Sequence, residues 1–380
     1  MMASHTKIVG TVFILLAFAC SSKRSTNPDA GMGPDTPGAL ADTPVAKDVP
    51  AKDVAPAPDL SPDSAPFLAD PGSGVITGLQ IQETDLYWIG GYHRIVKAAS
   101  DGTAATTLYT APGKNTGYVA IEGIALDDSN VYFTYAGDGD YANRGVYKLP
   151  LAGASTPIKL TSTQNPNVTI PDAIAVSGAD IYYSESSAIL HVKTSGGTVT
   201  TMVQDRGNPN DSRLVIKQGY LYFTMLVGSS GRDDVYRLPL GAATSVPMDA
   251  GSADGGESPM APEKVSLVPG NYSIQLGQRL DQGFLYWGVF NTVYRTDGNS
   301  PAAEVFTAGS SLQPTETGLG GCLLPYDGIM YWSRAGRLFK QTVGVAGNGT
   351  AFANGGTGDM VADANFLYLA SGATITRLAH

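Results

Sequence analysis

The chain has 380 residues with 34 acidic and 24 basic side chains, a formal net charge of −10, and 46 glycines against 2 cysteines. Across the repeated units described below, lysines and arginines are spread about one per unit, which disfavours nucleic acid as a partner, because phosphate binding needs a concentrated positive field. The two cysteines are Cys20, near the start, and Cys322; with Cys20 acylated, as read below, Cys322 has no intramolecular disulfide partner and the fold is expected to hold by packing.

Lys7 precedes an apolar run from Ile8 to Ala19, and Cys20-Ser21-Ser22 follows directly. That run is too short to span a bilayer as a mature helix. A charged start, a short apolar centre and a small residue before the cut read as an export signal over residues 1–19. Leu16-Ala17-Phe18-Ala19-Cys20 resembles the bacterial lipoprotein signal. The resemblance implies acyl chains on Cys20, a membrane anchor through that residue, and, with Ser21 next, sorting to the outer membrane of a Gram-negative host. The location expected is therefore the cell envelope, with the folded part extracytoplasmic.

Residues 20–64 read as a disordered tether. Between 21 and 66 there are nine prolines and no Phe, Trp or Tyr, and Ala46-Lys47-Asp48-Val49 recurs as Ala51-Lys52-Asp53-Val54. Nothing there can bury a core. At a polyproline rise its contour reaches on the order of 140 Å.

From residue 65 to 380 one unit recurs. Its mark is a short apolar strand centred on tyrosine: Leu86-Tyr87-Trp88, Val131-Tyr132-Phe133, Ile181-Tyr182-Tyr183, Leu221-Tyr222-Phe223, Leu285-Tyr286-Trp287, Met330-Tyr331-Trp332 and Leu367-Tyr368-Leu369, spaced 37 to 64 residues apart. A strand with one basic residue follows each: Lys97, Lys148, Lys193, Arg237, Arg295, Lys340 and Arg377. An apolar segment precedes most tyrosine strands, as in Gly123-Ile124-Ala125-Leu126, and a weaker one closes the unit, as in Thr107-Leu108-Tyr109-Thr110. Four short strands per unit at this period predict an all-β fold, a seven-bladed β-propeller. The seventh unit lacks its fourth strand, and Phe67-Leu68-Ala69-Asp70-Pro71-Gly72 matches the fourth-strand ending Leu108-Tyr109-Thr110-Ala111-Pro112-Gly113, so an N-terminal strand is expected to close the ring. The basic residues, one per unit, read as part of the blade's construction.

Propeller geometry puts the candidate site where the loops leading into the first strands and the loops after the tyrosine strands gather, at one mouth of the channel. Glu122, Asp172 and Asp359 stand just before the first strands of three units, and converging carboxylates there would hold a hard cation such as calcium; otherwise no cofactor is expected. Two loops after tyrosine strands look enlarged, Tyr135 to Arg144 and Met225 to Asp234. Tyr92, His93, Tyr135 and Arg144 are the side chains suited to contacting a protein or a glycan. Asp138 and Asp140 lack the later ligand spacing of a calcium loop. A glycine-rich, acidic stretch, Asp249 to Glu257, lies in a segment from Gly241 to Tyr272 that reads as an excursion.

Tyr87-Trp88, Tyr286-Trp287 and Tyr331-Trp332 resemble the YWTD-type repeats of low-density-lipoprotein-receptor propellers, although the Thr-Asp that completes that motif is replaced by Ile89-Gly90, Gly288-Val289 and Ser333-Arg334. The resemblance implies a propeller with a binding role. Catalysis is the rival class: a metal-dependent hydrolase or lyase would work at the channel mouth, but only His93 and His191 lie within the units, and no catalytic motif is present. The expected function is that of a membrane-anchored binding or scaffolding protein.

Overall fold

In the computed structural model the described residues are 66–379, except 73, 104, 113–119, 138–140, 153–155, 163–169, 186–187, 205–213, 228–231, 241–245, 248–261, 266–273, 277–283, 290–291, 298–302, 308–319, 335, 346–348 and 355–357. Cys20, the residues read as a signal and tether, Asp138, Asp140 and the stretch Asp249 to Glu257 all lie outside them. No helix among the described residues is long and apolar enough to cross a membrane.

The chain is an all-β propeller with four-stranded antiparallel blades. Its described strands form seven sheets. The first is typical: Ile76–Gln82, Asp85–Gly90, Arg94–Ala99 and Thr106–Thr110 pair in chain order. Five more sheets follow along the chain, and a seam sheet places the short strand Leu68–Ala69 beside Thr374–Ala379, which pairs with Phe366–Ser371 and then Met360–Ala362. Leu68 lies opposite Ile375 and Ala69 opposite Thr374. First strands of most neighbouring sheets touch, including Met360–Ala362 against Ile76–Gln82, so they line the inside of the array.

The tyrosine strands are buried on both faces, which explains why they read as continuous apolar runs rather than as an alternation. Successive strand residues point to opposite faces, so each tyrosine packs toward one neighbouring sheet and the residue after it toward the other. Tyr87 shares a core cluster with Phe133, Tyr132 with Tyr183, Tyr182 with Phe223, Tyr222 with Trp287, Tyr286 with Trp332, and Tyr331 with Leu369. Tyr368 shares one with Trp88 and Leu68. The dyad is therefore the zipper between sheets, each aromatic burial worth about 1.5–3 kcal/mol.

The polar ends of these tyrosines repeat as well. Lys97, Lys148, Arg237, Arg295, Lys340 and Arg377 lie directly opposite Tyr87, Tyr132, Tyr222, Tyr286, Tyr331 and Tyr368. Lys97 and Lys148 sit 5.5 and 5.8 Å from the ring centres of their tyrosines. Lys193 departs from the expected pattern. His191 is the residue opposite Tyr182, and Lys193 lies two positions on, opposite Asp180. Asp180 lies 2.6 Å from His191 Nε2 and accepts from Lys193 Nζ at 2.5 Å. The lysine thus pairs with the acidic turn residue, two pairs along the ladder from Tyr182.

Turns beneath the tyrosines hold carboxylates. Asp127 accepts the Tyr132 hydroxyl at 2.6 Å and the backbone amides of Ser129 and Asn130; Asp363 accepts the Tyr368 hydroxyl at 2.7 Å and the amides of Asn365 and Phe366. Burial opposes the charge on Asp127, but these hydrogen bonds outweigh it and hold the carboxyl below its usual range. Burial and the Asp363 hydrogen bond push the Tyr368 phenol up to about 12.

Two expected loops are different objects. Met225 to Asp234 is a hairpin: Tyr220–Val227 and Arg232–Pro239 pair in register out to Val227 opposite Arg232. The excursion contains strands too, because Val246–Pro247 joins Thr200–Gln204 in parallel on the outside of the third sheet and Glu263–Lys264 completes the fourth. An outer strand has an unpaired edge, and the long connection supplies its partner.

Candidate functional site

Antiparallel pairing collects the turns after the tyrosine strands, and the connections into the first strands, on one face, here called the upper face. Tyr92 and His93 lie in such a turn, between Asp85–Gly90 and Arg94–Ala99. Gly91 and Tyr92 are both left-handed, with φ of 59° and 63°, which is unusual for a tyrosine. The Tyr92 carbonyl accepts the amides of Ala120 at 3.2 Å and Ile121 at 2.9 Å, so this turn is tied to the start of the second sheet. Burial raises the Tyr92 phenol, and the Glu122 carboxylate raises it further, which makes the two side chains neighbours.

Glu122 and Asp172 occupy matching bulges, where the ladder slips between Ile121 and Ile124 and between Pro171 and Ile174. Hydroxyls of the tyrosine strands cap the amides freed there: Gly123 donates to Thr134 Oγ1 at 2.9 Å and Ala173 to Ser184 Oγ at 3.0 Å. Thr134 then donates to the Asp172 carbonyl at 2.6 Å, linking second and third sheets. The first sheet slips between Thr77 and Gln80 and meets its need from the seam sheet, since Asp359 accepts the amides of Gly78 at 2.6 Å and Leu79 at 3.3 Å. Asp359 is thus buried and engaged with backbone. Among the described residues no three His, Cys, Asp or Glu side chains stand close enough to hold a metal ion, so Glu122, Asp172 and Asp359 do not form a shared site.

Tyr135 and Arg144 are 2% and 7% exposed. The Tyr135 hydroxyl donates to the Pro112 carbonyl at 2.9 Å, and Arg144 Nε donates to the Ala136 carbonyl at 2.5 Å. They hold the second sheet's upper loop from inside. Of the sequence candidates, Tyr92, His93 and Glu122 are the group gathered at the upper face of the first two sheets with partial exposure.

Sequence reasoning missed Asp70 and Arg94. Asp70, 3% exposed, accepts the amides of Gly72 at 3.1 Å and Gly74 at 2.9 Å, the Trp88 indole at 3.1 Å, and Arg94 Nη2 in an ion pair. Arg94 is not one of the repeat's basic residues, and that irregularity was the available signal. Beside it opens a recess of about 460 Å³ lined by Gly72, Gly74, Gly91, His93, Arg94, Thr110 and Ala111. Space requires the glycine at 74, where a Cβ would stand 2.4 Å from the Gly91 backbone, while a Cβ on Gly72 would displace the end of the Arg94 side chain.

No protein-family profile matches the sequence. No curated protein matches it either. Solved structures do resemble it in shape. "YCF48 bound to D1 peptide" shares 12% identity at a TM-score of 0.59, over 86% of this chain and 99% of that one. "YCF48 from Cyanidioschyzon merolae" shares 8% at 0.56, over 81% and 96%. A Mycobacterium tuberculosis puromycin-hydrolyzing peptidase shares 12% at 0.55, over 86% of this chain and 55% of that one. At these identities the likeness speaks for the propeller fold alone.

Proposed function

We propose that this chain is a lipid-anchored, extracytoplasmic seven-bladed propeller, closed by its N-terminal segment, that binds a protein partner through its upper face. Seven sheets and the pairing of Leu68–Ala69 with the last strand support the closed ring. The observation that carries the binding role is the recess at His93 and Arg94, a concavity on the upper face that presents a guanidinium and an imidazole. YCF48, a similar fold, is a precedent for a propeller holding a peptide. Cys20 supplies the anchor, and the tether keeps the upper face free to meet a partner away from the membrane.

A photo-crosslinking residue placed at His93 in producing cells is expected to capture a partner, whereas the same residue at exposed Asp128, on the lower face, captures none. Capture from Asp128 alone contradicts the proposal. For the anchor, mass spectrometry of the mature chain is expected to find acylated Cys20 at its N-terminus, and Cys20→Ser is expected to move the protein to the soluble fraction; an unmodified cysteine on a cleaved chain refutes it.

A further inference from the structure

The recess allows a more specific assignment, which rests on the upper face being the binding face. We propose that it is a subsite for a carboxylate carried by an acidic side chain of an extended polypeptide. Among its lining residues are a guanidinium, an imidazole and a hydroxyl, from Arg94, His93 and Thr110, and no acidic side chain. Other strand cations of this protein are occupied: Lys97 pairs with Asp85, Lys193 with Asp180 and Arg237 with Glu263, while Arg295, Lys340 and Arg377 lie over Phe284, Phe352 and Phe67.

Arg94 is held differently. It gives Nη2 to Asp70, whose carboxylate also receives two amides and an indole N–H. Asp70 is thus shared between Arg94 and three neutral donors, which fix the carboxylate and, through it, the guanidinium. Arg94 Nε has no acceptor among the described residues. Asp70 is therefore a positioning residue that fixes Arg94 at the recess. Gly72, Gly74 and Gly91 strip the walls to backbone, which admits an extended chain. A sugar ring would pack on an aromatic face, and apart from His93 no aromatic side chain lines the recess. Because Gly72 and Gly74 follow the closing strand, the subsite exists only in the closed ring, and its occupant also holds the seam shut.

The test uses the full chain in detergent and two probes, acetyl-Gly-Glu-Gly-amide and its Gln counterpart, titrated by NMR. The Glu probe is expected to bind saturably, about tenfold or more tighter than the Gln probe, and to weaken as salt rises. His93→Glu, which puts a carboxylate into the recess without touching Asp70, is expected to abolish that preference, and Asp128→Lys to leave it intact. Equal affinities, or no binding of either probe at millimolar concentration, overturn the carboxylate subsite. Crosslinking at His93 reports separately: capture there without Glu preference leaves the binding face standing, and loss of capture removes the face.

Discussion

The two faces of the molecule use the same kinds of residue to opposite ends. On the lower face, tyrosines, carboxylates and basic residues recur: Tyr132 with Asp127 and Lys148, Tyr368 with Asp363 and Arg377, Tyr182 with His191 and, two pairs along, Asp180 with Lys193. Each group meets its neighbour's need, and little is left to offer a ligand. On the upper face Tyr92, His93, Arg94 and Asp70 occur once, in a left-handed turn beside a recess. Repetition marks construction here, and departure from it marks the place to look for binding.

That contrast breaks most readily at Asp70. Asp70→Ala removes the acceptor of four donors and strands the Arg94 charge, so a loss of about 3–5 kcal/mol is expected in urea unfolding. A loss below about 1 kcal/mol would mean that the segment from Phe67 to Gly74 does not hold the seam. Thr134→Val leaves the Gly123 amide and the Asp172 carbonyl without their shared hydroxyl, and about 1–3 kcal/mol is expected to go, again by urea unfolding. Lys148→Met, within the repeated lower face, is expected to cost only about 0.5–1 kcal/mol in the same assay.

The sharpest lower-face test is a pH dependence. With the Tyr368 phenol near 12 in the folded chain and the usual 10.0 when unfolded, its contribution is complete below pH 10 and fades as pH rises toward 12. Tyr368→Phe is expected to lower stability at pH 8 yet to make the decline between pH 10 and 12 shallower. An unchanged alkaline slope in thermal unfolding would show that burial and the Asp363 hydrogen bond do not hold the Tyr368 phenol up in the folded chain.

Much of the construction was legible in the sequence, because the tyrosine strands recur as short apolar runs at a blade's interval and the turns between strands are marked by Asp, Asn and Gly. All-β architecture and four-stranded blades follow from that alone. What stayed hidden depends on contacts between units. Thr134 and Ser184 look like ordinary polar strand residues until the bulges they cap are known. Asp70 reads as a turn residue until Trp88 and Arg94 are brought to it. Tyr135 and Arg144 read as exposed loop residues because the sequence does not reveal that Pro112 and Ala136 offer them carbonyls inside. The pairing of Val246–Pro247 with the third sheet was likewise invisible, since two residues give no periodicity.

The most direct measurement is hydrogen–deuterium exchange on the full chain, alone and with the partner captured at His93. Protection is expected at residues 91–94 and 110–112, with the turns at Asp127 and Asp363 unchanged. Protection confined to those lower turns would contradict the account.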